Sequence, residues 1–153
     1  MQFEVYAVAP GAPQRLWELV GDPSRFHEWT DADVVEGPPE PPHQVGQRFA
    51  TVDGGRRRGW VVITTDERLL EIKTDDTDCG RLGIGIRVAG DPLGARLILA
   101  GLLDPVGTDQ DRGGSAGQAR RRALARLVHV PRTRARFDRW SARAVRAVTG
   151  QGG

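Results

Sequence analysis

Between Val45 and Leu103 the chain alternates apolar and polar side chains in five runs, and only one later segment carries a long apolar stripe of helical period. Leu70, Ile72 and Thr74 fall on one side of a strand with Glu71 and Lys73 on the other. Leu82, Ile84, Ile86 and Val88 oppose Arg81 and Arg87 in the same way. A period of two sustained over several runs predicts an antiparallel sheet with one apolar and one solvated face. Such a face must be covered, and the segment bearing Phe137, Trp140, Ala144 and Val148 is the only one long enough to cover it. The chain is thereby confined to α+β architectures in which one long helix lies on an antiparallel sheet.

The runs span Val45–Val52, Gly59–Thr65, Arg68–Thr74, Arg81–Val88 and Ala95–Leu103. Asp53-Gly54-Gly55, the stretch Asp75–Gly80 and Gly90-Asp91-Pro92 mark turns between them, so the pattern is a meander. Upstream, Phe3–Val8 alternates as a first strand that Pro10-Gly11-Ala12-Pro13 stops. Leu16, Trp17, Leu19 and Val20 then give one helix an apolar side. Asp22 can cap a second short helix, with Pro23 at its first position and Phe26 and Trp29 one turn apart. A short strand around Val34-Val35 precedes the proline-rich connector Gly37–Pro42. Residues 105–118 read as a mobile glycine-rich loop. Leu124, Leu127 and Val128 form a brief stripe that Pro131 ends or kinks, and residues 150–153 read as a flexible tail.

At 153 residues the chain is expected to form a single domain over 1–153. Its net charge of +2 conceals an asymmetry: residues 1–111 hold 19 acids against 11 bases, whereas 112–153 hold 11 arginines and only Asp138. Arg136, Arg139, Arg143 and Arg146 repeat at helical spacing beside the aromatic face. A solvated helix edge attracted to its own sheet accounts for them. Nucleic acid is not expected as a partner, and a membrane surface stays open without being favoured. No apolar run approaches a membrane span, Cys79 is the only cysteine, and a cytoplasmic protein is expected. One lysine, Lys73, and no asparagine point to a GC-rich, bacterial source.

The pair Leu16-Trp17-Glu18-Leu19-Val20 and Asp22-Pro23-Ser24-Arg25-Phe26-His27-Glu28-Trp29 resembles the start of the SRPBCC superfamily. This is the polyketide cyclase/dehydrase and START-related group that shares its fold with the birch pollen allergen. Val45-Gly46-Gln47-Arg48-Phe49 is similar to its next strand, Trp60 to its tryptophan strand, and Phe137-Asp138-Arg139-Trp140 to its C-terminal helix. The resemblance covers nearly the whole chain and departs at 105–132, where the insert is longer. It implies a helix-grip fold: a curved antiparallel sheet wrapped on a long C-terminal helix, two short helices after the first strand, and a hydrophobic cavity between sheet and helix. Lipids, sterols, polyketides or plant hormones are the ligands so implied, with no cofactor. Some members catalyse and many only carry or sense, so the fold narrows the ligand class and not the reaction.

Within that frame strand parity offers Phe49, Thr51, Trp60, Val62, Ile72, Leu82, Ile84, Leu97 and Leu99 as cavity lining, with Trp29, Phe137 and Trp140 at the mouth and lid. Each serves equally as core, and Trp17 reads as core. Acid/base chemistry needs a titratable group aimed at a substrate, and the inner face offers almost none. The catalytic candidates by default are Asp78, Cys79 and Arg81 at a strand entrance and His27 beside Glu28.

Other motifs fail on context. Gly113-Gly114-Ser115-Ala116-Gly117 has the nucleophile-elbow spacing but follows a polar loop rather than a strand. His27, His43, His129 and Cys79 lack metal-ligand spacing, so no metal is expected, and no glycine-rich loop carries a P-loop lysine. Three functions stay open. The chain binds a mainly hydrophobic small molecule as carrier, sensor or accessory protein; or it is a cyclase or dehydratase acting in the same cavity; or it docks a membrane or partner through the arginine-rich helix. The first is the expectation. Oligomeric state is not legible.

Overall fold

A computed structural model describes residues 2–74, 81–104 and 128–150. The Asp75–Gly80 turn, the 105–118 loop, Leu124 and Leu127, and the tail beyond Gly150 lie outside the described residues. Strand β1 (Gln2–Ala9) leads to helix α1 (Pro13–Val20) and a 3-10 helix (Pro23–Glu28). Six strands follow: β2 (Val34–Glu36), β3 (Arg48–Asp53), β4 (Arg56–Asp66), β5 (Leu69–Thr74), β6 (Arg81–Asp91) and β7 (Gly94–Asp104). Helix α2 (Val130–Gly150) closes the order. The seven strands form one antiparallel sheet in the order β1-β7-β6-β5-β4-β3-β2.

The ladder places the alternating residues as their period requires. Val62 pairs with Ile72, Ile72 with Ile84, Ile86 with Leu99 and Val88 with Leu97, and all of them are buried on the inner face. Phe49 pairs with Trp60, and the Trp60 indole N–H donates to Thr51 Oγ1 at 2.9 Å, so these three side chains share that face as well. A register shift between Val62 and Thr64 leaves Ile63, which is exposed, without a paired partner on β5. At the β3–β4 hairpin Gly54 and Gly55 have φ of 57° and 82°, the left-handed pair that a tight two-residue turn demands.

Two elements differ from the pattern. β3 begins at Arg48 rather than Val45, because Gly46 takes φ of 92° and donates to the carbonyl of Val62 while Val45 is exposed. The second short helix winds as a 3-10 helix, its Asp22 cap accepting from the Ser24 N–H at 3.0 Å. Pro131 is the second residue of α2, and Leu124 and Leu127 of the stripe that it was expected to end or kink lie outside the described residues.

Helix α2 lays Phe137, Trp140, Ser141, Ala144 and Val148 into the sheet. An aromatic chain then runs through the interior. Phe3 of β1 meets Phe137 at 5.2 Å, Phe137 stacks on Trp140 at 5.2 Å, Trp140 meets Trp29 edge-on at 6.3 Å, and Trp29 meets Phe26, which meets Phe49 of β3. Gly101 makes the first link possible, since a Cβ there would lie 2.2 Å from Cζ of Phe3. Gly101→Ala is therefore expected to cost about 1 to 3 kcal/mol through overpacking. Urea denaturation checks this, with Phe3→Leu in the same chain recovering part of the loss. An unchanged midpoint in the single variant would refute the assignment.

Candidate ligand site

The break at Gly21-Asp22-Pro23 redirects the chain so that α1 and the 3-10 helix present different faces. Trp17 packs half-buried against the core, and Trp29, 1 % exposed, ends the 3-10 helix inside the molecule. The residues after Trp29 are tied on both sides. Thr30 N–H and Oγ1 both donate to the Phe26 carbonyl, at 2.9 and 2.6 Å. The Asp33 N–H donates to Val52 of β3 at 2.7 Å. From α2, Arg143 donates to the Thr30 carbonyl at 2.8 Å and pairs with Asp31 at 3.2 Å, while Arg136 reaches the other Asp31 oxygen at 3.6 Å. Two guanidiniums of the arginine stripe are thus spent within the fold, and Arg139 and Arg146 are exposed.

Between these elements lies a cavity of about 40 Å³. Phe26, Trp29, Trp60, Ile72, Ile84, Ile86 and Trp140 form its apolar wall, and Thr30, Asp31, Ala32, Thr51, Asp53 and Arg58 its polar border. Of the twelve residues offered by parity and resemblance, Trp29, Thr51, Trp60, Ile72, Ile84 and Trp140 border this cavity. Phe49, Val62, Leu82, Leu97, Leu99 and Phe137 are buried and pack as core away from it. The indole N–H groups of Trp29 and Trp140 are buried with no acceptor among the described residues. Leaving a buried donor unmatched costs about 1 to 3 kcal/mol, a penalty that marks this wall as unlike an ordinary core.

Sequence reasoning overlooked the polar border. Arg58 and Asp53 were within reach of the period-two rule, since Arg58 precedes Trp60 by two and Asp53 follows Thr51 by two. Asp31 carried no such signal. The catalytic candidates fall elsewhere: His27 is exposed on the 3-10 helix, and Arg81 is exposed at the start of β6. Neither borders the cavity. Asp78 and Cys79 lie outside the described residues. Among the described residues no three His, Cys, Asp or Glu side chains stand where they could share a metal ion, and no helix is long and apolar enough to cross a membrane.

Two larger depressions, about 520 and 460 Å³, are bordered mainly by residues of the sheet's other face, with Phe49 and Trp60 also lining the first. Charges border them: Arg48, Arg57 and Lys73 with Glu36 at the first, Glu4 and Glu71 at the second. Arg57 and Glu36 pair at 2.7 Å.

Solved structures share this architecture. The protein XoxI from Bacillus cereus superposes with a TM-score of 0.69 at 12% identity over 99% of this chain and 98% of that one. DynU16, from the dynemicin biosynthetic locus, gives 0.64 at 16% identity over 97% of this chain and 47% of its own. The protein Ara h 8.0201 gives 0.57 at 12% identity over 95% and 97%. No protein-family model matches the sequence. Nor does any curated protein. The chain has the helix-grip fold, a seven-stranded curved antiparallel sheet on a long C-terminal helix.

Two outcomes follow for the 3-10 helix and the segment after it. Because Arg143 holds both Thr30 and Asp31, Arg143→Ala is expected to cost about 1 to 2 kcal/mol, against less than about 0.5 for exposed Arg139→Ala. Equal losses in urea titrations would sink the clamp. On the 3-10 helix, Arg25 donates to Glu28 at 2.5 and 2.9 Å; these bonds hold the Glu28 carboxyl below its ordinary range, with burial opposing. A lowered folded value stabilises the protein above the ordinary carboxylate range and is lost as pH falls through it. Between about pH 5 and about pH 3 the wild type should therefore lose more melting temperature than Glu28→Gln. Parallel curves would show the pair to be inert.

Proposed function

We propose that this chain binds a mainly apolar small molecule between the sheet and α2, as a carrier, sensor or accessory protein. The observation that carries the reading is a cavity in the sheet–helix interior walled by three tryptophans and bearing two buried, unmatched indole N–H donors. An ordinary core fills such a space or satisfies such donors. An apolar ligand gains most from leaving water, which favours this wall over the two charge-bordered depressions. Fold likeness to DynU16 and to Ara h 8.0201 agrees with a small-molecule binder without naming its ligand.

The resting volume limits what enters. About 40 Å³ holds a few water molecules, whereas small-molecule sites span about 300 to 1,000 Å³. Binding therefore requires the Trp29 and Trp140 rings to part, and the ligand takes the place of their edge-to-face contact. A second reading, a cyclase or dehydratase, is favoured by one observation: the Asp53 carboxylate and the Arg58 guanidinium border the same cavity and supply the acid/base and charge-stabilising groups that the apolar wall lacks. Of the four-arginine stripe the docking reading retains Arg139 and Arg146, since Asp31 engages the other two.

Native mass spectrometry of protein purified from its own host is expected to show a retained apolar ligand. Hydrophobic probes should shift tryptophan emission in a saturable way. No retained mass together with unchanged emission across a panel of probes would overturn the reading. Chemical conversion of the retained ligand, abolished by Asp53→Asn while binding persists, would favour the enzyme.

A further inference from the structure

We infer that the ligand carries a neutral carbonyl oxygen, which accepts from the indole N–H groups of Trp29 and Trp140; this rests on the binding reading above. Both side chains are at least nine-tenths buried, both border the one cavity, and neither N–H has an acceptor among the described residues. The third tryptophan of the wall behaves differently. Its N–H is matched by Thr51 Oγ1, so an indole in this wall finds an acceptor where the fold supplies one. For the other two the described residues supply none, and both rings border the one cavity in which a ligand's acceptor would lie. An indole is a donor only and stays uncharged, so it selects for an oxygen with lone pairs and gives no charge to neutralise.

The charge around the cavity narrows the acceptor further. Asp31 and Asp53 both border it. Asp31 is already neutralised by Arg136 and Arg143, which are therefore not free for a ligand carboxylate. An anion would enter between the Asp53 carboxylate and the Arg58 guanidinium, which together offer it no net attraction, whereas a ketone, quinone or lactone meets two neutral donors and an aromatic wall. The requirement is thus a flat or compact apolar body with one oxygen acceptor, and a pure hydrocarbon leaves the donors unmatched.

The test uses three probes of one shape: indane, indanone and indane carboxylate. Indanone is expected to bind the wild-type protein about tenfold more tightly than indane, the gain of a matched neutral hydrogen bond, with the carboxylate weakest. Trp29→Phe and Trp140→Phe keep a ring and remove the N–H, and each should reduce the ratio of indanone to indane affinity, whatever it does to indane binding itself. As a readout independent of any variant, the Nε1–H resonances of the two indoles in 15N-labelled protein should shift on adding indanone and not on adding indane. Equal affinity for indane and indanone with unmoved indole resonances overturns the inference and leaves the binding reading standing. Failure of all three probes to bind, with unmoved resonances, overturns both. Preference for the carboxylate overturns the inference by showing that charge, not a neutral acceptor, is what the cavity selects.

Discussion

The stack of Phe137 on Trp140 is the contact from which the rest of the molecule is organised. On one side it reaches Phe3 at the β1 edge of the sheet; on the other it passes through Trp29 and Phe26 to Phe49 of β3, next to the opposite edge strand. A sheet that closes on one helix must bring its distant strands to the same small surface, and large rings span that distance at low entropic cost. Glycine at 101 is the complement of this arrangement, because the ring of Phe3 occupies the volume a side chain would take.

Polar contacts set the position of the interior's entrance rather than its existence. Asp31 lies just beyond Trp29 and is held by two arginines two helical turns apart on α2, so that helix carries both the aromatic filling and the clamp on the segment beside it. A carboxylate between two guanidiniums is partly solvated here, and its value lies in fixing where Trp29 and Thr30 sit more than in bulk stability. The cavity border is thereby tied to the helix that would have to yield for a ligand to enter.

That arrangement explains how a helix-grip interior can be nearly full and still suit a ligand. The rings that occupy the space are also its wall, and two of them bury donors that nothing in the described fold accepts from. Burial of their apolar area favours the closed state, and the unmatched N–H groups oppose it. An interior balanced in this way opens at less cost than a core in which every donor is satisfied.

Local periodicity was enough to read the seven strands, the face each inner residue occupies, the Asp22-capped second helix and the single covering helix. Each of those features depends on neighbours within a turn or a pleat. Familiar order of elements carried the fold from there. What tertiary structure alone decided were the contacts between residues remote in sequence. The Arg143 bond to Thr30 spans 113 positions, and nothing local marks Asp31 as the partner of two arginines on a distant helix. The size of the cavity belongs to the same class, since strand parity points Phe49 inward and helical spacing points Phe137 inward, but only packing reveals that both are core. Arg58 lies between the two: its face was legible two residues before Trp60, yet its place at a cavity border depends on where β4 meets the segment after Trp29. A repeat of two or 3.6 records which way a side chain points, and the distance to what it meets is set by the closure of the whole sheet on its helix.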